Sequence, residues 1–109
     1  MHIGTAGLPN IWTMRSLSTR RRMILTSRHH ACESTGSYVL EGVLDGLLQH
    51  PMENLQVICV PFVDYDGVVD GDQGKYRLPR DHECDYGRDV PPIYPETAAI
   101  RALHHYDEA

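Results

Sequence analysis

His30 and Glu33 stand three residues apart in the segment His30-Ala31-Cys32-Glu33, an imidazole and a carboxylate within reach of one ion. Zinc accepts both donor types, and a catalytic zinc takes three protein ligands with water in the fourth place. The spacing alone says little, because seven histidines and 15 acidic residues in 109 make a chance pair close to an even bet. Position adds to it. Met23-Ile24-Leu25-Thr26 suits a short buried strand, and Arg28 to Gly36 then turns polar and reads as a loop. Open α/β sheets bind their ligands beyond the carboxyl ends of the strands, where this pair falls.

The elements that must position the pair follow in order. Val39, Leu40, Val43, Leu44, Leu47 and Leu48 recur at three- and four-residue steps and predict a helix with one apolar face. Ser34, Thr35 and Ser37 are candidate caps, and His50-Pro51 ends the helix. Gly42 and Gly46 weaken it by about 1 kcal/mol each relative to alanine, and suggest close packing on a sheet. Leu55 to Val60 predicts a second buried strand, which makes a βαβ unit with parallel strands. Pro61 to Pro92 shows no period, and a loop of that length in a compact domain is usually functional or disordered. Pro95 and Glu96 suit a first helical turn, with Ile100 and Leu103 on the apolar side. Residues 1–20 read as an irregular lead-in or a weak edge strand, and residues 21–109 as one domain. The fold class is therefore α/β, with a parallel or mixed sheet and packed helices.

Composition narrows the partners. The net charge of -5, with scattered acids, argues against nucleic acid. The run Arg20-Arg21-Arg22 reads as a solvated lead-in to the first strand. Three cysteines without paired spacing suggest a reducing compartment and a cytoplasmic protein. No signal peptide or membrane span is evident, so no membrane is expected as a partner. Cys59 suits a buried strand position, and a zinc site from Cys32, Cys84 and His30 is a further arrangement that these residue types allow.

Four blocks together resemble the metallocarboxypeptidases, nearest to their cytosolic-carboxypeptidase-like bacterial branch. They are Thr26 to Gly42 around the His30/Glu33 pair; Val60-Pro61-Phe62-Val63-Asp64-Tyr65-Asp66-Gly67-Val68; Gly71-Asp72-Gln73-Gly74-Lys75-Tyr76-Arg77 leading to Arg80-Asp81-His82; and Ile93-Tyr94-Pro95-Glu96-Thr97. They fall in the family's order over roughly residues 21 to 103. The resemblance implies a Zn2+ cofactor, His30 and Glu33 as metal ligands, and Arg77 as a catalytic group steadying the oxyanion. The implied substrate is the C-terminus of a peptide or protein, hydrolysed at a peptide or amide bond near that end. Arg28 stands where the family often has an arginine.

Two departures accompany it. Glu83-Cys84 replaces the Asn-Arg pair that grips the substrate carboxylate in the family, and a glutamate would repel that group. Arg80 and Arg88 are the candidate substitutes. The family's third zinc ligand and general base come after the Tyr-Pro-Glu helix, so the chain is expected to carry a truncated version of that fold. His104 and His105 fall too early for the third ligand. The alternatives are a non-catalytic remnant that binds zinc weakly, and a small module that pairs through an exposed sheet edge.

Overall fold

A computed structural model of the chain describes the backbone of residues 2–5, 12–15 and 21–104, and the side chains of 21–103. At its centre is a mixed sheet in the order β1 (His2–Thr5), β2 (Trp12–Arg15), β4 (Leu55–Val60), β3 (Arg21–Thr26). β3 and β4 run parallel, in register from Arg21↔Leu55 to Thr26↔Val60. The connection between them is α1 (Ser34–Gln49), which completes the expected βαβ unit. β2 pairs antiparallel with both β1 and β4. The stretch read as an irregular lead-in or weak edge strand thus holds two strands, one of them interior. Four residues are too few to show a period, so pairing is what defines them, β2 with β4 and β1 with β2.

β4 is clamped between helices because alternate residues point to opposite faces. Leu55 and Val57 pack with Met23, Leu25, Leu44 and Leu47, on the α1 side. Ile58 and Val60 pack with Ile24, Val63, Ile100 and Leu103, on the side of α3 (Pro95–His104). Each fully buried aliphatic side chain contributes about 1.5–3 kcal/mol, so both faces are needed to hold a chain of this size. Arg21 and Arg22 lie within β3. Arg22 donates to Gln56 Oε1 at 2.9 Å and to the Leu103 carbonyl at 3.1 Å, so the basic run is partly structural.

Three local expectations are corrected. Glu33 is the N-cap residue of α1 and makes no side-chain cap bond, while Ser34 and Thr35 lie inside the first turn. Ser37 instead accepts from Arg28 Nε at 2.8 Å. Gly42 and Gly46 do not mediate close packing, since a Cβ at either meets nothing within 4 Å. The stretch 61–92 contains α2 (Tyr65–Asp70) and a 3-10 turn at His82–Cys84. Asp64 caps α2 by accepting the Gly67 amide at 3.1 Å, and Gly71 in the left-handed region ends it. Such short helices bury too little of one face to leave a periodic signal. Among the described residues no helix is long and apolar enough to cross a membrane.

Candidate metal site

The pairing of β3 with β4 continues past the strands into their loops. Ser27 N donates to the Val60 carbonyl at 3.2 Å, Val63 N to Ser27 at 3.0 Å, and Asp64 N to Arg28 at 3.0 Å. The Ser27 hydroxyl also donates to the Pro61 carbonyl at 2.5 Å. These bonds bring residues 27–33 and 61–64 together at the carboxyl end of the parallel pair, as expected. The loop around Gly74 closes on them from a third side, with Cys32 N donating to the Gln73 carbonyl at 3.1 Å.

The His30 ring, 12% exposed, lies among three carboxylates. Its Nδ1 is 3.0 Å from Glu33 Oε1. Its Nε2 is 3.0 Å from Asp81 Oδ2 and 3.3 Å from Glu83 Oε1. Asp81 is itself held: its other oxygen accepts the Arg77 amide at 2.6 Å, and the Tyr76 amide also donates to it. Tyr76 has φ 57, and that left-handed turn aims successive amides at one anion. Left-handed backbone costs a non-glycine residue about 1 kcal/mol, so local strain accompanies this grip.

One ligand atom from each of His30, Asp81 and Glu83 lies within 4.8 Å of the others, a spacing at which the three can hold one metal ion. Asp81 and Glu83 escaped selection as ligands from the sequence. Glu83 stood out only as a departure from the resemblance. No period links residues 30 and 81, so the pairing had no signal of its own.

Electrostatics couple the group. Burial alone would lower the His30 pKa, but Asp81, Glu83 and Glu33 outweigh it and hold it above 6.5. Burial would raise the Asp81 pKa, but its bonds from His30, Arg77 and Tyr76 hold it below 3.8. The His30 contribution to stability is then full below its unfolded value and fades as pH rises through the raised folded one. An NMR titration of the metal-free protein should place the His30 midpoint above 6.5, and Asp81→Asn should lower it. A wild-type midpoint at or below 6.5 would remove this account.

The remaining candidates are placed elsewhere. The Arg77 guanidinium donates to Asp64 Oδ2 at 2.6 Å and lies 3.5 Å from Asp72 Oδ2. Its link to the His30 group runs through its main-chain amide, which donates to Asp81. Arg28 donates to Ser37 and to the Ala31 carbonyl, which braces the loop carrying His30. Arg80 is bonded to Asp85 at 2.8 Å and to the Pro91 carbonyl at 2.9 Å. His29 Nε2 is 2.7 Å from the Tyr86 hydroxyl, and its pKa is lowered by burial and by repulsion from His82. Burial pushes the Tyr86 phenol up to about 12. His82 is buried, stacked on Tyr94 at 3.9 Å, with Nε2 3.7 Å from Glu96. Only the backbone of His104 is described, and His105 lies outside the described residues. Cys32 and Cys84 are exposed free thiols, and no group joining them to His30 occurs among the described residues.

No family model, curated protein or solved structure matches this chain. The resemblance to the metallocarboxypeptidases therefore rests on the residues of the four blocks.

Proposed function

We propose that this chain carries the metal-holding front part of a zinc-dependent peptidase of the metallocarboxypeptidase type, acting on a peptide or amide bond near a C-terminus. His30 Nδ1 and Glu33 hold the ion in this reading, and Asp81 fixes the ring from the other side. The observation that carries it is the way His30 is held. One ring nitrogen faces Glu33, and the other faces a carboxylate tethered by main-chain amides. A metal-binding histidine commonly gives its second nitrogen to such a carboxylate, which fixes tautomer and orientation.

Further support comes from the meeting of separate blocks. The segments carrying His30, Asp64, Gly74 and Asp81 are joined by direct hydrogen bonds or close contacts. An imidazole nitrogen and carboxylate oxygens also suit zinc. Bound there, zinc supplies a Lewis acid that polarises a carbonyl and lowers the pKa of water. The chain's own residues orient that site. Asp81 keeps His30 turned, Arg28 braces the loop, and Arg77 is the group assigned to a developing oxyanion. For Arg77 to reach such a charge, its looser contact, 3.5 Å to Asp72, is the one to give way. Glu83 beside His30 and the commitment of Arg80 to Asp85 favour a substrate not gripped by its terminal carboxylate.

A second reading has its own observation. Asp81 and Glu83 both face Nε2, so an ion there would have three protein donors without Glu33. Such a site suits the non-catalytic alternative. Titration calorimetry with zinc separates the two. The first reading expects about one zinc per chain, lost in His30→Ala, weakened in Glu33→Gln and nearly unchanged in Glu83→Gln. The second expects Glu83→Gln to weaken binding and Glu33→Gln to spare it. Asp81→Asn should weaken the first site by about 10–100-fold. Absence of zinc binding at micromolar levels sinks both. Zinc binding without hydrolysis of C-terminal peptide substrates keeps the site and removes the peptidase.

A further inference from the structure

We infer that the open edge of β3 is a homodimer interface, at which the β3 strands of two copies pair antiparallel across a twofold axis. Among the described residues β3 is an outer strand of the sheet. Its ladder to β4 runs from Arg21 N, bonded to the Asn54 carbonyl at 2.9 Å, to Ser27 N, bonded to Val60 at 3.2 Å. Residues alternate in direction along a strand, so the main-chain groups of Ile24 and Thr26 point the other way, to the open side. Monomeric proteins blunt such edges with proline, bulges or charge. β3 pairs with β4 without a bulge over all six residues, and its charge is confined to Arg21 and Arg22 at the start, leaving Met23-Ile24-Leu25-Thr26 without proline or charge.

Apolar surface lies beside this edge. A groove of about 790 Å³ is walled by Leu25, Thr26, Val39, Val43 and Tyr86 among others. Val39 is 62% exposed and Val43 40% exposed on the flank of α1 that overlooks it. This is the part of the helix's apolar face that the sheet leaves uncovered.

A second copy fits this surface because β3 complements itself in one direction. Antiparallel pairing about Ile24 sets Met23 opposite Leu25 of the second copy, and Arg22 opposite Thr26 of the second copy. No like charges then face one another. Parallel pairing would instead line up Arg21 and Arg22 with their own counterparts, which is unfavourable. The helices agree with the antiparallel arrangement. Leu44 and Leu47 pack against Leu55 and Val57 of β4, while Val39, Leu40 and Val43 wall one groove with Leu25 and Thr26 of β3, so α1 lies over the space between the two strands. With strands about 4.8 Å apart, the two α1 axes would then stand about 10 Å apart, the upper end of ordinary helix packing. The axis brings Val43 close to Val43 of the second copy.

Sedimentation velocity on the full chain, over a concentration series reaching high micromolar, tests this. A dimer is expected, weakened about tenfold or more by Val43→Glu, which sets two carboxylates near the axis. Thr26→Pro should weaken it similarly, because it removes an outward N–H and no bond of the β4 ladder. Far-UV circular dichroism and melting at dilutions where the wild type is monomeric should show both variants folded. A monomer at the highest concentration overturns the proposal. So does a dimer that neither substitution weakens, or one that dissolves in chelator and is therefore bridged by metal.

Discussion

Asp85→Ala is expected to cost the fold about 3–5 kcal/mol. The Asp85 side chain is fully buried. It accepts from Arg80 Nε at 2.8 Å, from the Ile93 and Tyr94 amides at 3.0 Å each, and from the Thr97 hydroxyl. One carboxylate thus gathers the chain entering α3 together with the first turn of that helix. Ile100 and Leu103 of α3 cover Ile58 and Val60, so loosening the helix uncovers one face of the sheet. Alanine leaves four donors without their acceptor. Total stability is about 5–15 kcal/mol for a domain of ordinary size, so the variant should unfold at much lower denaturant. Asp85→Asn keeps an acceptor and loses the charge opposite Arg80, so about 1–3 kcal/mol is expected. A loss under about 1 kcal/mol for alanine would mean that α3 docks without this carboxylate.

The same group makes a pH signature. Burial alone would raise the Asp85 pKa, but bonds from Thr97, Tyr94 and Ile93, and the Arg80 charge, hold it below 3.8. Its contribution is therefore full above its unfolded value of about 3.9 and is lost as pH falls through the lower folded value. The gap in stability between wild type and Asp85→Asn should accordingly shrink below about pH 4 and stay level toward neutrality.

Gly74→Ala is expected to cost about 2–4 kcal/mol and to unseat His30. Gly74 has φ +82, a conformation that disfavours any Cβ, and that Cβ would stand 2.6 Å from Ala31 N. The obstructing atom is main chain, so no side-chain rotation relieves it. The loop between Arg28 and Glu33 must shift, and His30 rides on that loop against Asp81. The raised His30 pKa should then fall back toward 6.5 in the metal-free protein. Gly71→Ala is the control. Gly71 has φ +77 but no neighbour within 4 Å, so it should show the conformational penalty alone, about 1 kcal/mol. Equal effects at the two glycines would show that the approach to Ala31 is unimportant.

The β3–α1–β4 unit and α3 are legible along the chain because their apolar residues repeat at short spacing. Leu40, Leu44 and Leu47 on α1, and the continuous run Leu55 to Val60, state their periods locally. The loop placing His30 and Glu33 at the carboxyl end of β3 follows from that order. β1, β2 and α2 are not legible in the same way. They are short, and strand pairing (β2 with β4, β1 with β2) or a cap from Asp64 supplies what their sequences lack.

The sequence by itself determined that His30 and Glu33 would be neighbours, because three residues of chain leave them little choice. Tertiary structure alone decided what surrounds them. Asp81 and Glu83 reach His30 across some fifty residues, directed by a left-handed turn at Tyr76 and the close approach of Gly74 to Ala31. It also decided that Arg77 and Arg80 spend their charges on Asp64 and Asp85. The reason is physical. A charged side chain settles on whichever partner the folded backbone brings within hydrogen-bonding distance, and contacts between distant segments leave no period in the chain.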